Sequence, residues 1–209
     1  MKKKTINMND RYRLFLFIDA VDKMYTKTEM LDAEKFGVGE KLVDWLCDNG
    51  FFTAPASTKY HGNYEGGLFD HSLNMTEYLV NMTDKLDLEW ERPQSPWIVG
   101  MFHDLCKMDE YIKVVDEEGQ VMMGTDEVKG EEAHFEHASD VMLKGHGDKS
   151  IMLLSQFMTL TEEEILCIRY HMGAYVRDDW EGFDRAIRKY PNVLFTHTAD
   201  MYASKVIEN

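Results

Sequence analysis

His103 and Asp104 stand side by side in the stretch Met101-Phe102-His103-Asp104-Leu105-Cys106-Lys107. A neutral imidazole and a carboxylate at a helix end can grip one divalent cation, and the second carboxylate oxygen is free to bridge to another. Two adjacent residues alone carry little weight. Their company adds to it: His71 lies upstream, His137 and His171 follow, and Asp200 closes the series. Each falls where a helix is expected, so rigid supports can aim all of them at one place. Asp200 is bracketed by Thr196, Ala199, Ala203 and Ser204. An Asp on a face of small residues is unusual unless it is paired or metal-bound.

The elements that must position them are mostly helical. Residues 10–25 carry an apolar stripe of Leu14, Phe17, Ile18 and Val21. A second helix is expected over residues 39–49, stopped by Gly50. Pro55, Gly62, Gly66 and Gly67 mark residues 51–67 as loop. Helical spacing resumes at Leu68, with Met75 and Leu79 on one face and His71 beside it. Ser95-Pro96 reads as a helix start with Ser95 as N-cap, and that helix carries His103 and Asp104 near its end. Two β-prone runs, 111–115 and 120–123, flank a Gly119 turn and predict a small hairpin. Residues 131–145, with His134 and His137, read as helix. Thr161 with Glu164 forms a capping box that opens a helix through His171 to Gly173. Pro191 opens the last helix, which holds His197 and Asp200. The expected fold is all-α, a helical bundle with a small β-hairpin excursion after His103-Asp104.

Composition bounds the function. The chain has 209 residues, 44% hydrophobic and 29% charged, enough for one domain with a full core. Its net charge of −15 argues against a broad basic surface for long nucleic acid, since that affinity comes mostly from Lys and Arg on phosphates. A small phosphorylated substrate is compatible, because bound cations reverse the potential locally. Cys47, Cys106 and Cys167 sit in apolar contexts and read as buried thiols of a reducing compartment. Lys2-Lys3-Lys4 looks like the start of a signal peptide, but the following apolar run is too short and lacks a cleavage site. A cytoplasmic location and no membrane span are expected.

These residues resemble the HD-domain superfamily of metal-dependent phosphohydrolases, whose pattern is His, then His-Asp, then a late Asp. Some branches add two histidines between. The resemblance covers about residues 50–205, with residues 10–49 as helices packed on that core. It is nearest in look to the 3′–5′ exoribonuclease-like branch. That branch has Pro-Ala, a loop His and Gly-Gly-Leu before the first ligand, matched by Pro55-Ala56, His61 and Gly66-Gly67-Leu68-Phe69-Asp70-His71. His-Asp with a Lys after two residues matches His103-Asp104-Leu105-Cys106-Lys107. A Gly-His-Ile-like element is matched to Glu136-His137-Ala138, without its Gly. A His-His-Gly-like element is matched to Tyr170-His171-Met172-Gly173, with one His. No room remains for the N-terminal nucleic-acid-binding domain of those exoribonucleases, so long RNA is not the expected substrate.

The resemblance implies one or two divalent ions (Mn, Fe, Mg, Co, Ni or Zn) on His71, His103, Asp104, His137, His171 and Asp200. His134, about one helical turn before His137, is its rival as ligand. Asp104 and Lys107 are the expected catalytic residues, with Lys107 stabilising charge on phosphoryl oxygens. His61, Lys107 and His134 are expected to meet the substrate, a nucleotide or short oligonucleotide cleaved at a phosphodiester or phosphomonoester. A nucleotidase or dNTP hydrolase and a non-catalytic nucleotide-binding module are the alternatives. An oxygenase on a related scaffold ranks below them, since no residue asks for redox chemistry. His146 and His197 read as structural or exposed. Arg177, Arg185, Arg188 and Lys189 read as a solvated face or as a lip for substrate phosphates.

Overall fold

The computed structural model describes residues 8–26, 39–114, 135–173 and 179–208. Helix α1 spans Met8–Thr26, α2 Glu40–Asp48, α3 Gly67–Leu86 and α4 Ser95–Phe102. A 3-10 turn, Leu105–Asp109, leads to strand β1, Tyr111–Lys113, which pairs antiparallel with β2, Phe135–His137. Helices α5 (His146–Leu154), α6 (Glu162–Arg169), α7 (Trp180–Lys189) and α8 (Asn192–Tyr202) follow, and α8 runs into a π-helical turn, Ala203–Ile207. The fold is an all-α bundle with a two-stranded excursion. No helix among the described residues is long and apolar enough to cross a membrane.

Five phenylalanines tie together the elements that carry His71 and His103. Phe51 meets Phe17 of α1 at 6.3 Å between ring centroids, Phe69 of α3 at 5.9 Å and Phe102 of α4 at 6.3 Å, while Phe52 closes on Phe69 at 5.3 Å. Phe17, Phe51 and Phe69 are fully buried. Each ring pair adds about 0.5–1.5 kcal/mol beyond the burial of its area. Phe69 stands two residues before His71 and Phe102 immediately before His103, so this packing sets where both imidazoles emerge. Arg13 of α1 adds a polar latch, donating from Nε and Nη2 to the two oxygens of Asp70 at 2.9 Å each.

Helices α3 and α4 cross closely because Gly100 faces Thr76. A Cβ on Gly100 would stand 2.7 Å from the Thr76 Cα, and Thr76 is itself folded down, its hydroxyl donating to the Ser72 carbonyl at 2.6 Å. Gly100→Ala must therefore push apart the two helices that carry His71 and His103. The expected result is a loss of about 1–3 kcal/mol of stability, the usual cost of overpacking. A thermal melt of the variant checks it.

Three local expectations change. Ser95 is the first residue of α4 rather than its cap; its hydroxyl donates to Glu164 Oε1 at 2.8 Å. Glu164, which completes the capping box with Thr161, also accepts from Arg92 and so joins the starts of α4 and α6. Helix α6 ends at Arg169, so His171 lies in the turn beyond it. Over its described part, residues 135–145, the helix expected at 131–145 does not form. Within the described part, Phe135–His137 is the strand that pairs with β1, and Phe135 is buried by that pairing. Pairing and burial override the local helical preference of this stretch. The run 120–123 and its turn lie outside the described residues.

Candidate metal centre

His103 caps the end of α4, and its Nδ1–H donates to the Gly100 carbonyl at 2.8 Å. His171 does the same one turn past α6, with Nδ1–H donating to the Ile168 carbonyl at 2.7 Å. A carbonyl can only accept, so in both rings the proton is on Nδ1 and the Nε2 lone pair faces inward. His71 Nδ1 faces the Glu208 carboxylate at 3.1 and 3.2 Å, again leaving Nε2 to the interior. Asp104 stands where the backbone leaves α4 and enters the 3-10 turn. His71, His103 and His171 are almost wholly buried, as are Asp104 and Asp200.

Four imidazole Nε2 atoms surround the Asp104 carboxylate. On its Oδ2 side are His71 at 3.7 Å and His103 at 3.4 Å. Asp200 Oδ1 completes this side, 3.1 Å from His71 Nε2 and 3.8 Å from His103 Nε2. On the Oδ1 side are His146 at 2.9 Å and His171 at 3.3 Å. Each carboxylate oxygen thus has its own pair of histidines. Lys107 Nζ donates to Oδ2 at 2.7 Å.

The donor set suits a cation. Asp104 Oδ1 and the Nε2 atoms of His146 and His171 are buried without an aligned hydrogen-bond partner. Leaving such atoms without a well-aligned partner is costly, and an ion shared by all three would remove the cost. His71, His103 and Asp104 bring their ligand atoms close enough to share one ion. So do Asp104, Cys106 and His146.

The electrostatics of the metal-free cluster are those of trapped protons. Burial lowers the His71 pKa, but hydrogen bonds to Asp200 and Glu208 outweigh it and raise it to about 9. Burial also opposes the charged form of His146, and the Asp104 charge reverses this, again giving about 9. Burial alone would raise Asp104, yet Lys107, His103 and His146 hold it well below the carboxylate range. Burial lowers the His61 pKa to about 4, with the charges of His71 and Lys107 acting the same way, so this imidazole is neutral at pH 7.

His71 and His146, with pKa values raised to about 9, each hold a proton through neutral pH that a cation would have to displace. Apparent metal affinity should rise with pH up to about 9, by about tenfold per pH unit for each proton displaced. The metal-free fold has the opposite dependence. These raised pKa values contribute stability that is full below about 6.5, the unfolded value, and lost as pH rises through about 9. Melting curves from pH 6 to 9.5, with chelator and with Mn²⁺, check both signs.

Five of the six expected ligands meet here: His71, His103, Asp104, His171 and Asp200. The sixth does not. His137 lies on β2 with its side chain exposed, opposite Tyr111 in the ladder and 5.1 Å from its ring. Alternation puts it on the Phe135 face of the strand, but at the strand end it rests against Tyr111 and lines a cavity beside His146. His146, at the start of α5, occupies the place assigned to His137. The signal that could have found it is Gly145-His146-Gly147, which carries the Gly absent before His137. Gly147 also allows α5 to seat on α6, since a Cβ there would lie 2.5 Å from the Ile168 carbonyl oxygen. That contact brings His146 beside His171, with ring centroids 5.1 Å apart. His134 lies outside the described residues.

The expected substrate residues divide. Lys107 is buried and bound to Asp104. His61 lies against His71, centroids 4.7 Å apart, with both ring nitrogens unpartnered. Its turn is held by the Ser57 hydroxyl donating to the His61 carbonyl at 2.8 Å. His197 is structural, donating from Nδ1–H to the His171 carbonyl at 2.7 Å. The basic cluster of α7 is matched by acids: Arg185 pairs with Glu181, Arg188 with Asp184 and Lys189 with Glu162. Arg177 lies outside the described residues. A cavity of about 280 Å³ adjoins the cluster at His146 and Cys106, with Lys144 and Lys149 on its wall.

Comparison with known proteins gives one relative at short range. A 66-residue stretch is 36% identical to the dihydroneopterin 2',3'-cyclic phosphate phosphodiesterase of Methanocaldococcus jannaschii. The stretch covers 30% of this chain and spans only 26% of that protein. No family model matches the chain, and no solved structure matches it.

Proposed function

We propose that this protein is a divalent-metal-dependent phosphohydrolase that cleaves a small phosphodiester. The observation that carries the proposal is Asp104, a buried carboxylate with two inward-facing imidazoles on each oxygen. His71, His103, Asp104 and Asp200 would hold one ion; Asp104, His146 and His171 would hold a second. Such ions polarise a phosphoryl oxygen and make a water nucleophilic near neutral pH. Both the metal cluster and the short match to a phosphodiesterase agree with the HD-type resemblance.

The chain's own groups then have defined tasks. Asp104 would be shared by both ions, and it keeps its negative charge because Lys107, His103 and His146 surround it. Lys107 stays protonated beside it and lends positive charge to the developing phosphoryl charge. His61, neutral and with free ring nitrogens, offers a hydrogen bond to a substrate oxygen rather than a proton. The cavity beside His146 is near the lower end of the size of small-ligand pockets, which favours a nucleotide or a cyclic phosphate over a polymer. The net charge of −15 points the same way.

The test compares bis(p-nitrophenyl) phosphate, p-nitrophenyl phosphate and a nucleoside 2',3'-cyclic phosphate with purified protein in Mn²⁺. Hydrolysis of the two diesters that chelator stops and Mn²⁺ restores is expected. Preference for the monoester would make it a nucleotidase. No turnover of any phosphate ester with metal bound would leave a binding module and refute the proposal.

A further inference from the structure

Among the three cluster histidines whose Nδ1 has an oxygen partner, His71 differs from the others. His103 and His171 donate to backbone carbonyls, whereas His71 donates to a full carboxylate, Glu208. Both Glu208 oxygens lie within 3.2 Å of Nδ1, and the side chain is only 10% exposed. Asn74, nearly one turn after His71 on α3, donates to Glu208 Oε1 at 3.1 Å and fixes the carboxylate from the other side. Nothing in the sequence pattern singles out this residue, which lies 137 positions from His71.

The backbone is shaped to deliver it. Asp200 and Glu208 are separated by eight positions, which in an α-helix would turn them about 80° apart. The intervening Ala203–Ile207 is π-helical, closed by Glu208 N–H donating to the Ala203 carbonyl at 3.2 Å. A π turn takes more residues per revolution, so each residue rotates less, and such turns recur at functional sites. Glu208 is thereby brought back toward the face of Asp200. The two carboxylates address opposite nitrogens of one ring, Asp200 at Nε2 and Glu208 at Nδ1.

We infer that Glu208 is a positioning residue for metal binding: it fixes the His71 ring and its Nδ1–H tautomer and enriches Nε2 as a ligand. Carboxylate–histidine–metal relays of this kind orient the ligand and raise its basicity, and their loss costs about ten- to a hundredfold in metal affinity or activity. The inference rests on the metal reading of the cluster. It adds a residue outside the expected ligand set, supplied by the turn that continues α8.

Mn²⁺ binding by calorimetry to metal-freed protein tests it directly, apart from activity. Glu208→Met keeps the side-chain volume and removes the acceptor; Glu208→Gln keeps an acceptor without the charge; Asn74→Ala loosens the carboxylate without touching His71. The expected order of affinity is wild type, then Gln, then Met, with Met weaker than wild type by about ten- to a hundredfold and Asn74→Ala between them. At saturating Mn²⁺ the KM for a diester should stay at the wild-type value. Wild-type affinity in folded Glu208→Met overturns the inference, as does Gln binding no better than Met. A wild-type protein that binds no Mn²⁺ overturns the metal reading itself, which is a separable outcome.

Discussion

Asp104→Asn is expected to abolish diester hydrolysis and to lower the stability of the metal-free fold. Asparagine keeps the shape but lends one oxygen instead of two, and its NH₂ confronts imidazoles or Lys107 that need an acceptor. Losing an outer partner of a ligand costs about ten- to a hundredfold. A residue in contact with both histidine pairs should cost more than that in Mn²⁺ affinity and in kcat/KM together. The stability effect has a separate origin. Lys107 is buried, and its ammonium lies 2.7 Å from Asp104, with protonated His71 and His146 nearby. Removing one member of a buried pair leaves an uncompensated charge, at about 3–5 kcal/mol. In a chain of this length that is a fall of about 6–20 °C in melting temperature. Calorimetry, steady-state kinetics and a melt in chelator measure the three effects. Wild-type hydrolysis by the variant would end the proposed mechanism.

The second large effect separates two histidines nine positions apart. His146→Ala removes an imidazole 2.9 Å from Asp104 Oδ1 and is expected to weaken Mn²⁺ binding and to reduce kcat by more than tenfold. One class of binding sites should weaken while the one on His71, His103 and Asp200 survives, so the stoichiometry falls at limiting metal. His137→Ala removes an exposed strand side chain that lines the cavity but belongs to neither group of ligand atoms around Asp104, and should leave Mn²⁺ affinity within about twofold. Reversal of this pair would return the second ion to β2.

Much of the cluster was legible because its residues are carried by short local patterns. His103-Asp104 with Lys107, the run from Gly66 to His71, and Asp200 among small residues each declare themselves within a few positions. The same holds for the capping box at Thr161 and for the ends of α2 and α8, where one cap or one proline decides. His146 is hidden for a local reason as well: residues 131–145 read as helix, which leaves no break at Gly145. Over the described residues 135–145 that helix gives way because Phe135–His137 finds its partner at Tyr111–Lys113. A pairing between strands more than twenty residues apart leaves no trace in the spacing of either one.

Periodicity, charge and ligand type are properties of residues, so the helical class of the fold, the net negative charge and the kind of cluster to look for can be read along the chain. Tertiary structure decided which histidines face Asp104, which oxygen each pair addresses, and that Glu208 stands behind His71. Those are questions of distance between segments remote along the chain, and they are answered by the aromatic packing around Phe51, the close crossing at Gly100 and the π turn after Asp200.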